Sequence, residues 1–311
     1  MLPNTTTASE KDSTTSPAAY FPDAPQNLSQ AINTSTKDLH DTVNFAIMDR
    51  FQLLLSSNNH ELYLTGMTSF HPVYSTFERV WSALLSSSST LRPNISTAIT
   101  AIHDPRLFRS SAIAADLSYL SGGSFDPDAS PSRPQVVAYV NHIENAIREK
   151  PHVVLAYAHS YYMALFAGGK VLRKLLVNKK GFFPVHLPAG DEEEARRFST
   201  GLFVFPADDP EEIRNKFKAG MVIAEEGLSE EEKTDIINEA RAIFKWNEKL
   251  IHELDSICAP MYVKGEAAQV GKSVMAFAKK VQSRCPVDGY KLPAAVMLLC
   301  FLWLIKRAFL A

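Results

Sequence analysis

Residues 152–176 read HVVLAYAHSYYMALFAGGKVLRKLL, an apolar run of helical length that contains two adjacent glycines, Gly168 and Gly169. No Lys, Arg, Asp or Glu occurs in this run before residue 170, which is typical of a buried helix. A glycine inside a helix costs about 1 kcal/mol relative to alanine, so a pair of glycines weakens the helix at that point. Either another helix packs against them, or a ligand or a second backbone comes very close. The residues alone leave both explanations open.

Helical periodicity also dominates the rest of the chain. Apolar residues recur three or four positions apart in further predicted helices, which cover residues 28–51, 61–86, 105–119 and 135–149. Two later helices begin at capping residues, one at Asp209 and one at Ser229, which Glu232 follows three positions later. Pro72 should kink its helix, and the β-prone residues 201–205 are expected to form a short extended connection. We therefore predict an all-α bundle of seven or eight helices.

The two ends of the chain differ in composition from its body. Residues 1–26 are rich in Thr, Ser, Pro and Ala and lack the apolar segment of a signal peptide, which predicts a disordered arm. Residues 292–305 carry no charge, which favours a C-terminal transmembrane anchor within 290–311. A basic linker at 258–289 would connect this anchor to a helical domain at 27–257. Without a signal peptide, a tail anchor keeps the domain in the cytosol.

Charge, cysteine content and motifs exclude several classes of protein. The chain has 32 Lys and Arg against 34 Asp and Glu, a net charge of -2, so no overall field attracts nucleic acid. Its three cysteines form neither a disulfide framework nor a Cys-x-x-Cys pair for zinc, which favours a reducing compartment. No P-loop, no GxGxxG and no HExxH motif occurs either.

Two further features carry side chains suited to binding a ligand. His40 ends the segment Thr36-Lys37-Asp38-Leu39-His40 on the first helix, where a packed or solvated histidine is more common than a metal ligand. Arg214 and Lys218 stand four residues apart on one helix face. Such a pair is either solvated or holds the carboxylates of an anionic ligand.

Taken in order, these features resemble the heme oxygenase family over about residues 27–256. The proximal helix of that family carries a Thr-Lys-x-x-His segment, which residues 36–40 match, and its second helix carries a tyrosine in register with Tyr74. The distal helix of the family has the form AHAYxRYLGDLSGGQVLKK. Residues 157–174, YAHSYYMALFAGGKVLRK, are similar to it, and residues 201–205 are similar to the GLAFFTF connector that follows.

The resemblance implies a role for each matched residue. His40 would be the axial ligand of the heme iron, and a kinked distal helix would bring Gly168 and Gly169 close over the porphyrin. Tyr74 and Asn247 would join the two glycines on the catalytic, distal side. The residues implied to contact heme are Lys37, His159, Ser160, Arg214, Lys218 and Phe244.

The chain departs from the family pattern at four positions. The first distal glycine of the family is Ala164 here, its distal aspartate is Leu165, its propionate-binding tyrosine is His159, and a lysine of the first helix is Asn33. The aspartate matters most, because it orders the water that delivers protons beside the iron. Its replacement makes a non-catalytic heme-binding or heme-sensing protein the main alternative to an enzyme.

The resemblance also implies the reaction and its partners. Heme b would be both substrate and cofactor, cleaved with O2 to biliverdin, carbon monoxide and ferrous iron. Electrons would come from NADPH through NADPH–cytochrome P450 reductase at the cytosolic face of the endoplasmic reticulum membrane, since the chain has no flavin or nicotinamide motif. A heme-free helical membrane adaptor is a third hypothesis. Cys285-Pro286 in the linker is similar to pairs that bind heme or act as thiol switches, but an ordinary linker cysteine is the simpler explanation.

Overall fold

The computed structural model describes residues 27–186 and 191–282, with side chains as far as Met261, and every regular element in these ranges is helical. The α-helices there are α1 (Leu28–Ser57), α2 (His60–Ser86), α3 (Pro93–Ala101), α4 (Ser110–Leu120), α5 (Pro134–Glu149), α6 (Val154–Ala164), α7 (Lys170–Asn178), α8 (Glu192–Arg197), α9 (Pro210–Glu226) and α10 (Glu230–Gln282). A π-helical turn, Leu165–Gly169, joins α6 to α7, and we call residues 154–178 the distal helix. The predicted all-α fold is confirmed.

Local capping fixes where three of the helices begin. The side chain of Asn27 accepts the N–H of Gln30 at 2.9 Å, and Gln30 accepts the N–H of Asn27 at 3.2 Å, which forms a capping box for α1. Asp209 caps α9, and Ser229 and Glu232 form a second reciprocal box at α10. Both of the later starts agree with the prediction from the sequence, because the signal lies within three residues of each helix.

The distal helix occupies the centre of the bundle, and eight of the eleven residues of α6 are buried. Phe77 of α2 stacks on Tyr157 with 5.6 Å between ring centroids. On the α5 side, the hydroxyl groups of Tyr139 and Tyr161 lie 2.7 Å apart, and toward α10 the Tyr157 hydroxyl donates to Glu239 at 2.5 Å. Three helices therefore hold the segment that precedes the glycine pair.

Helix α1 packs along the same α10 that supports the distal helix. Arg50 donates to both carboxylate oxygens of Asp255, at 2.9 and 2.6 Å. Near the other end of the contact, the Arg241 guanidinium donates to the carbonyl of Ser35 and approaches Asp38. Helix α10 thus sets the placement of α1 relative to the distal helix.

The described ranges contain ten α-helices against the seven or eight predicted, because α3 and α8 were not expected and the π-helical turn divides the distal helix. Helix α3 was not predicted, because its Ser- and Thr-rich sequence reads as a loop, yet its buried Ile95 and Ile99 pack into the core. Helix α2 continues through Pro72, with buried residues on both sides of the proline, and the kink expected there stays a prediction. Residues 201–205 begin with a 3₁₀ turn, Gly201–Phe203, and only then become extended, at Val204.

The predictions for the C-terminal part of the chain concern mostly residues outside the described ranges. Helix α10 continues into the stretch predicted as a linker, 258–289, as far as Gln282. Within the described ranges, none of the helices is both apolar and long enough to cross a membrane. The predicted anchor, 290–311, the predicted arm, 1–26, and Cys285-Pro286 all lie outside the described residues.

Candidate functional site

His40 stands on the outer face of α1 with 57% of its side chain exposed. Its Nδ1 lies 3.3 Å from Oδ1 of Asp41, and its ring meets the edge of Phe244 of α10, with 6.0 Å between centroids. If Nδ1 carries the proton toward Asp41, Nε2 presents its lone pair outward. Among the described residues, nothing hydrogen-bonds to Nε2, so the imidazole is available to a ligand. Lys37, one turn earlier, is also exposed, with its Nζ 3.7 Å from Asp41.

The π-helical turn falls on the glycine pair, and the two glycines face different surroundings. A Cβ on Gly169 would lie 3.2 Å from the ring of Phe203, so this glycine allows close packing. A Cβ on Gly168 would meet no atom within 4 Å. Close packing therefore explains Gly169. Gly168 borders free space, which a ligand could occupy.

An apolar face of the distal helix is exposed around Gly168. Its members recur at helical spacing and are small or aliphatic: Ala164, Gly168, Val171 and Leu175. Val171 is 52% exposed and Leu175 37% exposed. Apolar residues in a row on the surface of a soluble domain are typical of a ligand-binding or interaction surface. The flat, largely apolar side of a ligand could lie against this face.

The predicted cation pair lies on α9, beside its buried face, and 29% of the Arg214 side chain is exposed. Arg214 donates to Glu211 at 2.9 Å, and its Nε is buried without a hydrogen-bond partner in the described part of the chain. Lys218 is exposed, as is Val222 one turn further on. Glu211 also accepts from Lys170, the first residue of α7, at 2.5 Å. An unsatisfied guanidinium N–H beside an exposed ammonium group suits an anionic ligand.

Two of the predicted heme-contacting residues lie in α6, where His159 is buried and Ser160 is partly buried. Burial lowers the pKa of His159 to about 4, so its imidazole is neutral near pH 7. The hydroxyl oxygen of Ser160 is buried and has no hydrogen-bond partner among the described residues. Both side chains are polar groups that a bound molecule could satisfy.

At the position of the expected carboxylate, the distal turn carries an apolar side chain. Leu165 is buried, and the methyl group Cδ2 of its side chain lies 3.5 Å from the Cβ position of Gly169. Tyr74 is buried with its ring 5.0 Å from that of Tyr161, and burial raises the pKa of Tyr74 well above its usual value. Asn247, on α10, donates its side-chain amide to the carbonyl of Ile243 at 3.0 Å.

Sequence reasoning missed Tyr161 and Tyr139, whose hydroxyl groups form the buried pair described above. Tyr161 lies one helical turn before Ala164 and two turns before Gly168, so its spacing could have indicated it. No local signal could have indicated Tyr139, which comes from another helix.

Asp116 of α4 holds the turn that packs behind the glycine pair. Its Oδ1 accepts the backbone N–H of Gly201 at 2.8 Å, and its Oδ2 accepts that of Leu202 at 2.9 Å. Burial raises the pKa of this carboxyl to about 7, although the two N–H groups and Arg109 act in the opposite direction. The carboxyl therefore titrates near neutral pH.

The variant Asp116→Asn is expected to be less stable than the wild type at about pH 5, with a difference that narrows toward about pH 7. An amide has one acceptor oxygen for the two N–H groups, which explains the loss. Between its model value of 3.8 and about 7, folded Asp116 binds more protons than unfolded Asp116. The wild type therefore loses up to about 1.4 kcal/mol of unfolding free energy per pH unit from this group, and the variant does not. Urea unfolding across this range measures the difference, and a pH-independent difference would contradict the raised pKa.

Comparisons with known proteins agree with this fold and its order of features. The family model for heme oxygenase matches residues 26–253. The heme-binding protein HMX1 of Saccharomyces cerevisiae is 28% identical over 243 residues, 74% of this chain and 76% of that protein. Heme oxygenase 1 of Rattus norvegicus is 25% identical over 235 residues, 75% of this chain and 73% of that protein.

Solved structures show the same architecture. Heme oxygenase-1 from the cyanobacterium Synechocystis sp. PCC6803, in complex with heme, superposes with a TM-score of 0.62 at 20% identity, covering 80% of this chain and all of that one. Heme oxygenase 2 from Chlamydomonas reinhardtii, without heme, superposes with a TM-score of 0.60 at 16% identity, covering 73% of this chain and 97% of that one. Because the family model spans most of the sequence, the chain belongs to the heme oxygenase family.

Proposed function

We propose that this chain is a heme oxygenase that binds heme between α1 and the distal helix and cleaves it to biliverdin, carbon monoxide and ferrous iron. The observation that carries the proposal is the open face at Gly168. It lies on the distal helix, which packs against α10, as does the helix that carries His40. A glycine lets a planar ring lie close against the backbone on one side, and an exposed imidazole offers a nitrogen ligand for its iron on the other.

The residues present fit heme by their chemistry. His40 offers an exposed imidazole for the iron, and the exposed apolar face around Gly168 matches the porphyrin plane. The propionates are carboxylates, which suit the exposed Lys218 and the guanidinium of Arg214, where they would take the place of Glu211. Their salt bridges would fix which edge of the ring faces the distal turn.

Proton handling in this chain would differ from a site with an aspartate. Bound heme supplies the iron at which O2 is activated, with electrons from NADPH through NADPH–cytochrome P450 reductase. Leu165 has no proton to give, so the hydroxyl groups of Tyr74 and Tyr161, whose rings lie 5.0 Å apart, would order water in its place. Tyr139, bonded to Tyr161, would hold that hydroxyl in place.

For its location, we propose the cytosolic face of the endoplasmic reticulum membrane. The support is the uncharged apolar run at 292–305, which reaches the length of a membrane span if its flanking residues within 290–311 lie at the two membrane interfaces. A reductase in the same membrane would meet the domain more often than a soluble one.

The second candidate is a heme-binding or heme-sensing protein without turnover. Leu165 favours it, because it removes the carboxylate at the distal turn. The name of the yeast relative, a heme-binding protein, is compatible with either candidate.

Titration of the purified chain with hemin, followed by addition of reductase, NADPH and O2, separates the candidates. The enzyme predicts a stoichiometric Soret band and then biliverdin, seen by absorption and confirmed by mass spectrometry, together with carbon monoxide. Heme binding without biliverdin supports the sensor. If no Soret band forms, both proposals fail and a heme-free adaptor is left.

A further inference from the structure

Residues 201–205, which we call the connector, support the π-helical turn of the distal helix from behind. The ring of Phe203 lies 3.2 Å from the Cβ position of Gly169. The ring of Phe205 stacks on Phe166, with 4.3 Å between centroids and 16° between planes. Two aromatic rings of the connector therefore contact two of the five residues of the turn.

Two buried charged residues at α4 hold the connector itself. Asp116 accepts the N–H groups at its start, as described above. Arg109 donates to the carbonyl of Val204, and its guanidinium carbon lies 4.7 Å from the centre of the Phe205 ring. Gly201 is required for this contact, because a Cβ there would lie 2.8 Å from Oδ1 of Asp116.

The charged groups around Asp116 are themselves fixed. Arg109, at the start of α4, is buried, and Glu78 of α2 accepts its backbone N–H at 2.6 Å. Burial raises the pKa of Tyr63 of α2, and the nearby charge of Asp116 raises it further. The hydroxyl group of Tyr63 donates to the carbonyl of Ser199. Arg109 and Tyr63 thus interact electrostatically with Asp116, whose own hydrogen bonds run to the connector.

We propose that Asp116 is a positioning residue for the distal turn, acting through the connector and the contact of Phe203 with Gly169. π-helical turns are rare, and those inside α-helices are frequently found at functional sites. Holding the connector in place holds the depth of the turn, and with it the free space at Gly168. Only the consequence for heme rests on the proposed function; the coupling itself concerns the heme-free chain.

Amide hydrogen exchange of the heme-free, full-length chain, read by mass spectrometry, tests the coupling. The variant Asp116→Asn is expected to speed exchange in peptides covering residues 165–169 by roughly tenfold, because one of two hydrogen bonds to the connector is lost. Phe203→Leu, which shortens the ring contact but leaves Asp116 intact, should speed exchange in the same peptides. Combining the two changes should add little to either one.

The matched control is Asp104→Asn. Asp104 is also a buried carboxylate, but its partners are Arg106 and Lys216, outside the connector. It should destabilise the chain without selectively speeding exchange at 165–169. Unchanged exchange there in both Asp116→Asn and Phe203→Leu would overturn the proposal, as would an equal change in the control. If Asp116→Asn does not fold, the response of Phe203→Leu against the control decides.

A hemin titration of the same proteins separates this inference from the proposed function. Weaker hemin binding by Asp116→Asn than by Asp104→Asn would extend the coupling to the ligand site. Faster exchange at 165–169 in a chain that binds no hemin would support the coupling while the proposed function fails.

Discussion

Replacing His40 by alanine should weaken hemin binding by at least roughly 10- to 100-fold and abolish biliverdin formation. Loss of a residue that merely orients a metal ligand already costs that much in metal affinity, so loss of the ligand itself should cost no less. In the described part of the chain, the side chain is mostly exposed and its hydrogen-bond and ring contacts are with Asp41 and Phe244, so we assign it no other strong role there. The heme-free variant should therefore unfold at the temperature of the wild type.

The Soret band and its response to added imidazole measure the effect. Free imidazole should restore the spectrum of the histidine-ligated form in His40→Ala, because it can enter the space left by the side chain. His252→Ala is the matched control, since His252 lies on α10 with 71% of its side chain exposed. If the His40→Ala protein keeps its Soret band, its affinity for hemin and its turnover, His40 is not the axial ligand.

Replacing Gly220 by alanine should destabilise the fold by at least about 3 kcal/mol, the upper part of the range for overpacking. A Cβ on Gly220 would lie 2.2 Å from the carbonyl oxygen of Ala101 and 2.8 Å from its carbonyl carbon. Both are main-chain atoms, so α9 and α3 must separate. The gain in helix propensity, about 1 kcal/mol, is too small to offset this.

Thermal and urea unfolding of the heme-free chain measure the loss, which should lower the melting temperature by several degrees. Gly66→Ala is the control, because Gly66 lies within α2 and a Cβ there would meet nothing within 4 Å. That variant should be neutral or slightly more stable. Hemin binding should fall in Gly220→Ala as well, since α9 carries Arg214 and Lys218. Equal stability of the two variants would show that the helices can part at little cost.

The parts of the structure that the sequence could predict are those whose cause is local. The starts of α9 and α10 follow from Asp209 and Ser229, each bonded to groups within three residues. The glycine pair indicated an unusual point in the distal helix. It could not indicate a π-helical turn, because the contact that distinguishes Gly169 from Gly168 comes from Phe203, more than thirty residues later.

The parts that escaped prediction depend on contacts between distant residues. Asp116 bonds to backbone groups 85 and 86 positions away, and nothing in its own helix indicates this. The pairing of Tyr139 with Tyr161 requires α5 and α6 to be side by side. The roles given to His40, Arg214 and Lys218 remain predictions, although the structure leaves each with a group that a ligand could satisfy.

The sharing of Glu211 between Lys170 and Arg214 makes this carboxylate a built-in counter-ion. The two cations lower its pKa, so it stays ionised at neutral pH. An incoming anionic ligand would have to displace the carboxylate of Glu211 from Arg214. The released Glu211 would stay paired with Lys170, so the distal helix and α9 would remain tethered during the exchange. Added salt would weaken both ion pairs of Arg214, the one with Glu211 and the one with the ligand. The affinity for the ligand should therefore fall less steeply with ionic strength than it would if Arg214 and Lys218 were both unpaired before binding.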